Sequence, residues 1–263
     1  DLHSFPTRRS SDLVLIGNWK MNFNMHEASL YLHNLMQLLP SYRDVEVVLA
    51  PTILSLQSLS LQINRRIAKL AAQNCYWRDH GAYTGEIPAA HLRGIADYAL
   101  IGHSERRYIF IESDKDIRLK VQAALRNRIK PILCIGETAQ ERALDETKDV
   151  LADQLTSGLA NVTAEELGQI VIAYEPVWAI GTGDNAKPAD VKSAVATIRR
   201  HIAHLYGKAA AEQVRIVYGG SVTVDNAADY LAIRDLDGLL VGGVSLDSHQ
   251  FKEIITKAHS KEK

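Results

Sequence analysis

From Val14 onward, short uninterrupted apolar runs alternate with longer stretches in which apolar positions recur at helical spacing. The short runs are VLIGNWK, VEVVLAP, IAKLAAQN, YALIGHSE, PILCIGE, IVIAYEP, VRIVYGGS and GLLVGG, and glycine, asparagine, glutamine, histidine, glutamate or serine marks their ends. Each is too short for a helix, and continuous rather than alternating hydrophobicity predicts strands buried on both faces. Between them, residues 27–39, 116–128, 188–206 and 248–258 carry the helical spacing. Pro88 and Pro188 stand where a first helical turn begins, a position that does not need the missing N–H. Eight strand and helix pairs without a break in composition predict one parallel α/β domain over residues 14–263, and the number eight favours closure into a barrel. A doubly wound open sheet is the alternative, weakened because no GxGxxG follows the first strand.

Composition narrows the function without choosing it. The chain has 263 residues, 46% hydrophobic and 23% charged, with 30 Lys and Arg against 31 Asp and Glu. Such a balance is ordinary for a globular protein and offers no basic excess for nucleic acid or an anionic membrane. No apolar run approaches the roughly 18 residues that span a bilayer, so the expected location is cytoplasmic. Cys75 and Cys134 each lie near the end of an apolar run and are expected to be reduced, buried thiols rather than a disulfide or metal ligands. Residues 1–13, DLHSFPTRRSSDL, are polar and aperiodic and resemble the translation of a sequencing-library adapter. They are expected to be a disordered, non-native extension in place of the native start.

In a β/α barrel the reactive groups gather at the carboxyl ends of the strands, and the unusual polar residues of this chain fall there. Glu175 closes the sixth run, Pro176 restricts it to extended backbone, and the oily, glycine-rich VWAIGTG that follows suits a lid that excludes water. A solvated glutamate in a buried connection is the plainer reading. His103 precedes a helical turn, whose field disfavours imidazolium and permits a neutral ring that exchanges protons; a histidine that only caps the helix fits equally. Lys20, past the first strand, is either an exposed lysine or a fixed positive charge for an anionic substrate. YGGS (218–221) and VGG (241–243) close the last two strands, the usual phosphate loops of such barrels, where glycine lets backbone N–H groups approach an anion. The pairs Arg65-Arg66, Arg106-Arg107 and Arg199-Arg200 read as solvated faces or local ion pairs. No HExxH, CxxC or acidic calcium loop occurs, so a metal is not implied.

GNWKMN, AQN, GAYTGE, GHSERR, LCIGET, AYEPVWAIGTG, YGGSV and LVGG, in this order, closely resemble the triosephosphate isomerase family from about Val14 to the carboxyl end. The resemblance implies a TIM barrel that interconverts dihydroxyacetone phosphate and glyceraldehyde 3-phosphate in glycolysis and gluconeogenesis, without a cofactor. It implies Glu175 as base, His103 as neutral electrophile and Lys20, beside Asn18, as the substrate's electrostatic partner. By the same resemblance Gly181, Ser221, Gly242 and Gly243 offer N–H groups to the phosphate, Glu105 orients Lys20, and Ser104 touches the base. GAYTGE, Gly81 to Glu86, resembles a loop that enters a second subunit and carries Thr84 to its active site, which implies a homodimer. Two departures stand out: Pro88 and His91 replace the commoner serine and methionine, and the far hinge of the lid reads Asp184-Asn185-Ala186. The competing readings are another phosphosugar barrel, such as an epimerase or a Schiff-base aldolase at Lys20, and an inactive barrel kept for binding.

Overall fold

The computed structural model describes residues 13–180 and 185–260. All eight expected strands form: β1 (Leu13–Asn18), β2 (Val45–Ala50), β3 (Ala68–Ala72), β4 (Tyr98–Ile101), β5 (Lys130–Ile135), β6 (Val171–Tyr174), β7 (Arg215–Tyr218) and β8 (Gly238–Val241). Each pairs in parallel with its neighbours in sequence, and β8 returns to β1 with Val14 opposite Gly238, so the sheet closes. This is the eight-stranded barrel, not the open sheet. Closure needs a glycine at 238, because its φ is +146° and a Cβ there lies 1.9 Å from the Val14 carbonyl oxygen. Leu13 already belongs to β1, while residues 1–12 of the expected extension lie outside the described residues.

Continuous hydrophobicity becomes two buried shells. One side of each strand faces the barrel interior, filled by Val14, Ile16, Val48, Ala71, Leu100, Ile132, Ala173, Val217 and Leu240 among others. The other side packs outward, with Leu15, Leu49, Leu133, Ile172 and Leu239, under the ring of helices. At the amino ends of the strands the interior turns polar: Glu46, Lys69 and Arg215 meet the buried ring of Tyr98.

The helices are α1 (Met25–Leu38), α2 (Ile53–Gln62), α3 (Ser104–Tyr108), α4 (Asp114–Arg126), α5 (Ala139–Ala143) and α6 (Thr147–Gly158). They continue with α7 (Ala164–Leu167), α8 (Pro188–Tyr206), α9 (Lys208–Gln213), α10 (Ala227–Leu231) and α11 (Ser248–Ser260). Start signals explain where two of them depart from the periodicity. Asn24 caps α1 through the N–H groups of His26 and Glu27, and Glu27 returns the bond to Asn24, so the helix begins at Met25 rather than residue 27. Ser113 and Asp116 do the same for α4, which then ends at Arg126 because Arg128 takes a left-handed φ of +59°. Pro188 opens α8 as expected, whereas Pro88 only flanks a short 3-10 turn, Ala89–Leu92. No helix among the described residues is long and apolar enough to cross a membrane.

Candidate active site

The carboxyl ends of β1, β4, β6, β7 and β8 meet around one cavity of about 250 Å³, lined by Asn18, Lys20, His103, Glu175, Ser221, Gly242 and Gly243. The barrel thus brings together residues from 18 to 243 that the sequence separates. Glu105 joins them through Lys20 and Ser104 through Glu175, as described below. Two predicted residues are not among them: Thr84 is exposed on its loop, and Gly181, like Asp184 of the hinge, lies outside the described residues.

Glu175 follows β6 directly and its N–H continues the ladder onto the Ile135 carbonyl at 2.7 Å. It is 1% exposed. The backbone N–H of Ser104 donates to Oε2 at 3.2 Å, so Ser104 touches the carboxylate through its main chain rather than its hydroxyl. The other oxygen, Oε1, is buried, 3.3 Å from Nε2 of His103, and receives no hydrogen bond among the described residues. A buried acceptor without a donor costs about 1–3 kcal/mol, and a carboxylate costs more.

His103 caps the short α3, and its Nδ1 accepts the N–H of Glu105 at 3.2 Å. A ring that accepts at Nδ1 carries its proton on Nε2, which assigns the neutral tautomer with Nε2–H aimed into the cavity. Arg107 secures this turn from behind: Nε donates to the Gly102 carbonyl at 2.9 Å and Nη2 to the Cys134 carbonyl at 3.0 Å, tying the end of β4 to β5. Lys20 adopts φ +52°, unfavourable for an L-residue by about 1 kcal/mol or more. Its N–H bonds Asn18 Oδ1 at 3.0 Å, and Nζ meets Glu105 Oε1 at 2.7 Å. The ion pair holds the amine in place at the cavity, which suits electrostatic work on an anionic substrate.

Opposite these groups lies the glycine-lined end. Among the described residues no acceptor takes the N–H of Ser221 or Gly243. A Cβ on Gly243 meets nothing within 4 Å, and one on Gly242 reaches only Lys20 Cε, at 4.0 Å. The Lys20 stem therefore runs beside a glycine cradle with free backbone donors, a setting for an oxyanion.

Some positions that shape the site were not singled out by sequence reasoning. Gln73, within the quoted AQN, sends Nε2 to the carbonyls of Lys20 and Ala50, both at 2.8 Å, and so clamps the strained lysine backbone. Glu137, fully buried after β5, accepts from Tyr174 Oη at 3.1 Å and Trp178 Nε1 at 2.9 Å, and its carbonyl receives the Val177 N–H at 3.0 Å. It anchors the near stem of the loop after Glu175. A signal existed, since Glu137 closes the fifth apolar run as Glu175 closes the sixth. Both cysteines are free and buried, and burial together with the charge of Glu175 pushes the Cys134 thiol well up.

The geometry agrees with the comparisons. A family model described as triosephosphate isomerase matches residues 13–258. The triosephosphate isomerase of Chloroherpeton thalassium is 44% identical over 244 residues, 92% of this chain and 97% of that protein. That of Caldanaerobacter subterraneus subsp. tengcongensis is also 44% identical, over 92% of this chain and 98% of its own length. The Pediococcus pentosaceus enzyme is 42% identical over 92% and 97%. A barrel closed in sequence order, with lysine, histidine and glutamate around a glycine cradle and this identity over nearly all its length, belongs to the triosephosphate isomerase family.

Proposed function

We propose that this chain interconverts dihydroxyacetone phosphate and D-glyceraldehyde 3-phosphate through an enediolate, in glycolysis and gluconeogenesis, with no cofactor. Glu175 removes a proton from the carbon next to the carbonyl and returns it to the neighbouring carbon. His103, neutral, donates Nε2–H to one substrate oxygen and recovers a proton from the other, so the proton count closes over the cycle. A neutral histidine opposite a glutamate base is an arrangement for which this family is itself a standard illustration. Lys20 stabilises the developing negative charge, with Asn18 and Glu105 holding it in place. Ser221, Gly242, Gly243 and, beyond the described residues, Gly181 supply N–H donors to the phosphate. VWAIGTG, acting as a lid, keeps water from an intermediate that can eliminate phosphate, a gating role this family again illustrates.

The observation that carries this reading is the buried, undonated Oε1 of Glu175 set 3.3 Å from His103 Nε2 in the cavity that Lys20 and the glycine cradle share. The test is Glu175→Asp in a coupled assay for glyceraldehyde 3-phosphate. Withdrawing the carboxylate by about one bond length lowers kcat by roughly a hundredfold or more with the fold unchanged. A near-wild-type rate overturns the assignment.

The same reading includes a homodimer and a cytoplasmic location. Its support is an apolar surface at the catalytic mouth: Met21 is 94% exposed and Phe110 63%, and both line a recess of about 430 Å³ that also reaches Lys20, His103 and Glu105. The loop Gly81 to Glu86 stands out beside it, with Thr84 exposed at its tip. A second copy's loop placed in that recess buries the patch and brings Thr84 to the active site. Sedimentation of Thr84→Arg against the parent chain reads the association. Dissociation with loss of turnover is expected, and a parent chain that sediments as a monomer at full activity excludes the dimer.

A further inference from the structure

Among the described residues, the lower mouth of the barrel, at the ends of the strands opposite the active site, holds more positive charge than its acids balance. Glu46 is gripped by Lys69 and by Arg215, whose Nη1 lies 2.6 Å from Oε2. Tyr98 Oη donates to the same carboxylate at 2.8 Å and accepts from Arg215 Nη2 at 2.8 Å. Lys130 Nζ sits 5.4 Å from the centre of the Tyr98 ring. Three cations therefore surround one carboxylate. The neighbouring acids are already engaged, Asp97 by Arg65 at 2.6 Å and Asp44 by the His259 ring at 2.6 Å. Arg43 and Arg66 are exposed, and neither guanidinium forms an ion pair among the described residues. Both open onto a recess of about 190 Å³ between the chain leading into β2 and the chain leading into β3, with Lys69 on its wall and Glu46 the one acidic residue among the described residues that line it.

We propose that this recess binds a free multivalent oxyanion of the phosphate class, of about diphosphate size, through Arg43, Arg66 and Lys69. The chemistry follows from geometry: two planar guanidinium forks, without carboxylate partners among the described residues, suit bidentate contact with phosphoryl oxygens, and Lys69 adds a point charge on the wall. A half-enclosed recess over a low-dielectric barrel focuses the unbalanced field outward. Burial lowers the Lys130 amine, and the charges of Lys69 and Arg215 lower it further against the pull of Glu46. The site lies at the opposite ends of the strands from Glu175 and is independent of the reading proposed for the catalytic mouth.

Calorimetric titration of the full-length chain with pyrophosphate at low salt tests the proposal. Two binding events per subunit are expected, one displaced by triose phosphate and one not. Arg43→Glu combined with Arg66→Glu, both at exposed positions, weakens the second event by about tenfold or more while isomerase kcat/KM stays at the parent value. A single event that substrate displaces, or a second event unchanged in the double variant, overturns it. Sodium chloride at matched ionic strength must not reproduce the heat, since screening alone is not binding. A phosphoserine peptide separates a free anion from a phosphorylated macromolecule: tighter binding of the peptide than of pyrophosphate at the Arg43 and Arg66 site overturns the commitment to a free anion.

Discussion

Glu175 is packed by what its neighbours lack. A Cβ on Gly219 lies 2.8 Å from Glu175 Cγ, and one on Gly136 lies 1.9 Å from the Glu175 carbonyl oxygen. The two glycines leave room for different parts of the same residue, so their substitution has different consequences. Gly219→Ala pushes on the side chain, and we expect kcat/KM to fall by roughly ten- to a hundredfold with an unchanged circular dichroism spectrum. Gly136→Ala drives into backbone at the β5–β6 ladder, where nothing yields cheaply, and we expect a loss of about 3 kcal/mol or more in urea unfolding, or no soluble protein. The reverse pattern, an unfolded Gly219→Ala beside an active Gly136→Ala, contradicts this packing. The gathering of Lys20, His103 and Glu175 at one mouth was legible in the sequence because each follows an apolar run, and parallel strands in a barrel bring those ends together, although each residue alone also has a plain structural reading. The glycines and Gln73 were not, because the atoms that give them a role, the Glu175 side chain and the Lys20 and Ala50 carbonyls, are distant in sequence.

At the scale of elements, strands were legible and helices only in part. A strand buried on both faces in a closed sheet is written as a continuous apolar run, and all eight runs became strands. α2 escaped because ILSLQSLSLQ alternates leucine with serine over 54–56 and again over 59–61, a locally strand-like pattern. Packing overrides it: Leu56 and Leu59 are buried while Leu54 and Leu61 are 83% and 86% exposed. α6 likewise lacked a clear stripe. The stem after Glu175 is an element whose anchor lies elsewhere, on the Glu137 carboxylate between Tyr174, Trp178 and Arg142, the last at 3.9 Å. Glu137→Gln keeps the volume but replaces one acceptor oxygen with a donor facing other donors. About 1–3 kcal/mol of stability is expected to go. The turnover should fall with it, since Trp178 in that stem bonds the same carboxylate at 2.9 Å. Unaltered urea midpoint and kcat count against the anchor.

Across the whole molecule the barrel has two polar ends separated by an apolar interior, one built for chemistry and one for charge. The lower end predicts how the fold responds to acid. Burial raises the Glu46 carboxyl, but the charge of Arg215 and the hydrogen bonds from Lys69 and Arg215 outweigh it and hold the group down at about 2 against an ordinary 4.5. A carboxyl depressed on folding contributes its full stability above pH 4.5 and loses it as pH falls toward 2, because the unfolded chain takes up the proton first. The difference corresponds to about 3 kcal/mol, of which about 2 kcal/mol is gone by pH 3. Glu46→Gln removes the titrating group and leaves Lys69 and Arg215 facing a neutral amide, so the variant is the less stable at pH 6. Its deficit relative to the parent chain should shrink by about 2 kcal/mol between pH 6 and pH 3, read from urea midpoints at each pH. A deficit constant over that range means that Glu46 titrates alike in the folded and unfolded chains, and the cations of the lower mouth are then screened by solvent rather than directed at it.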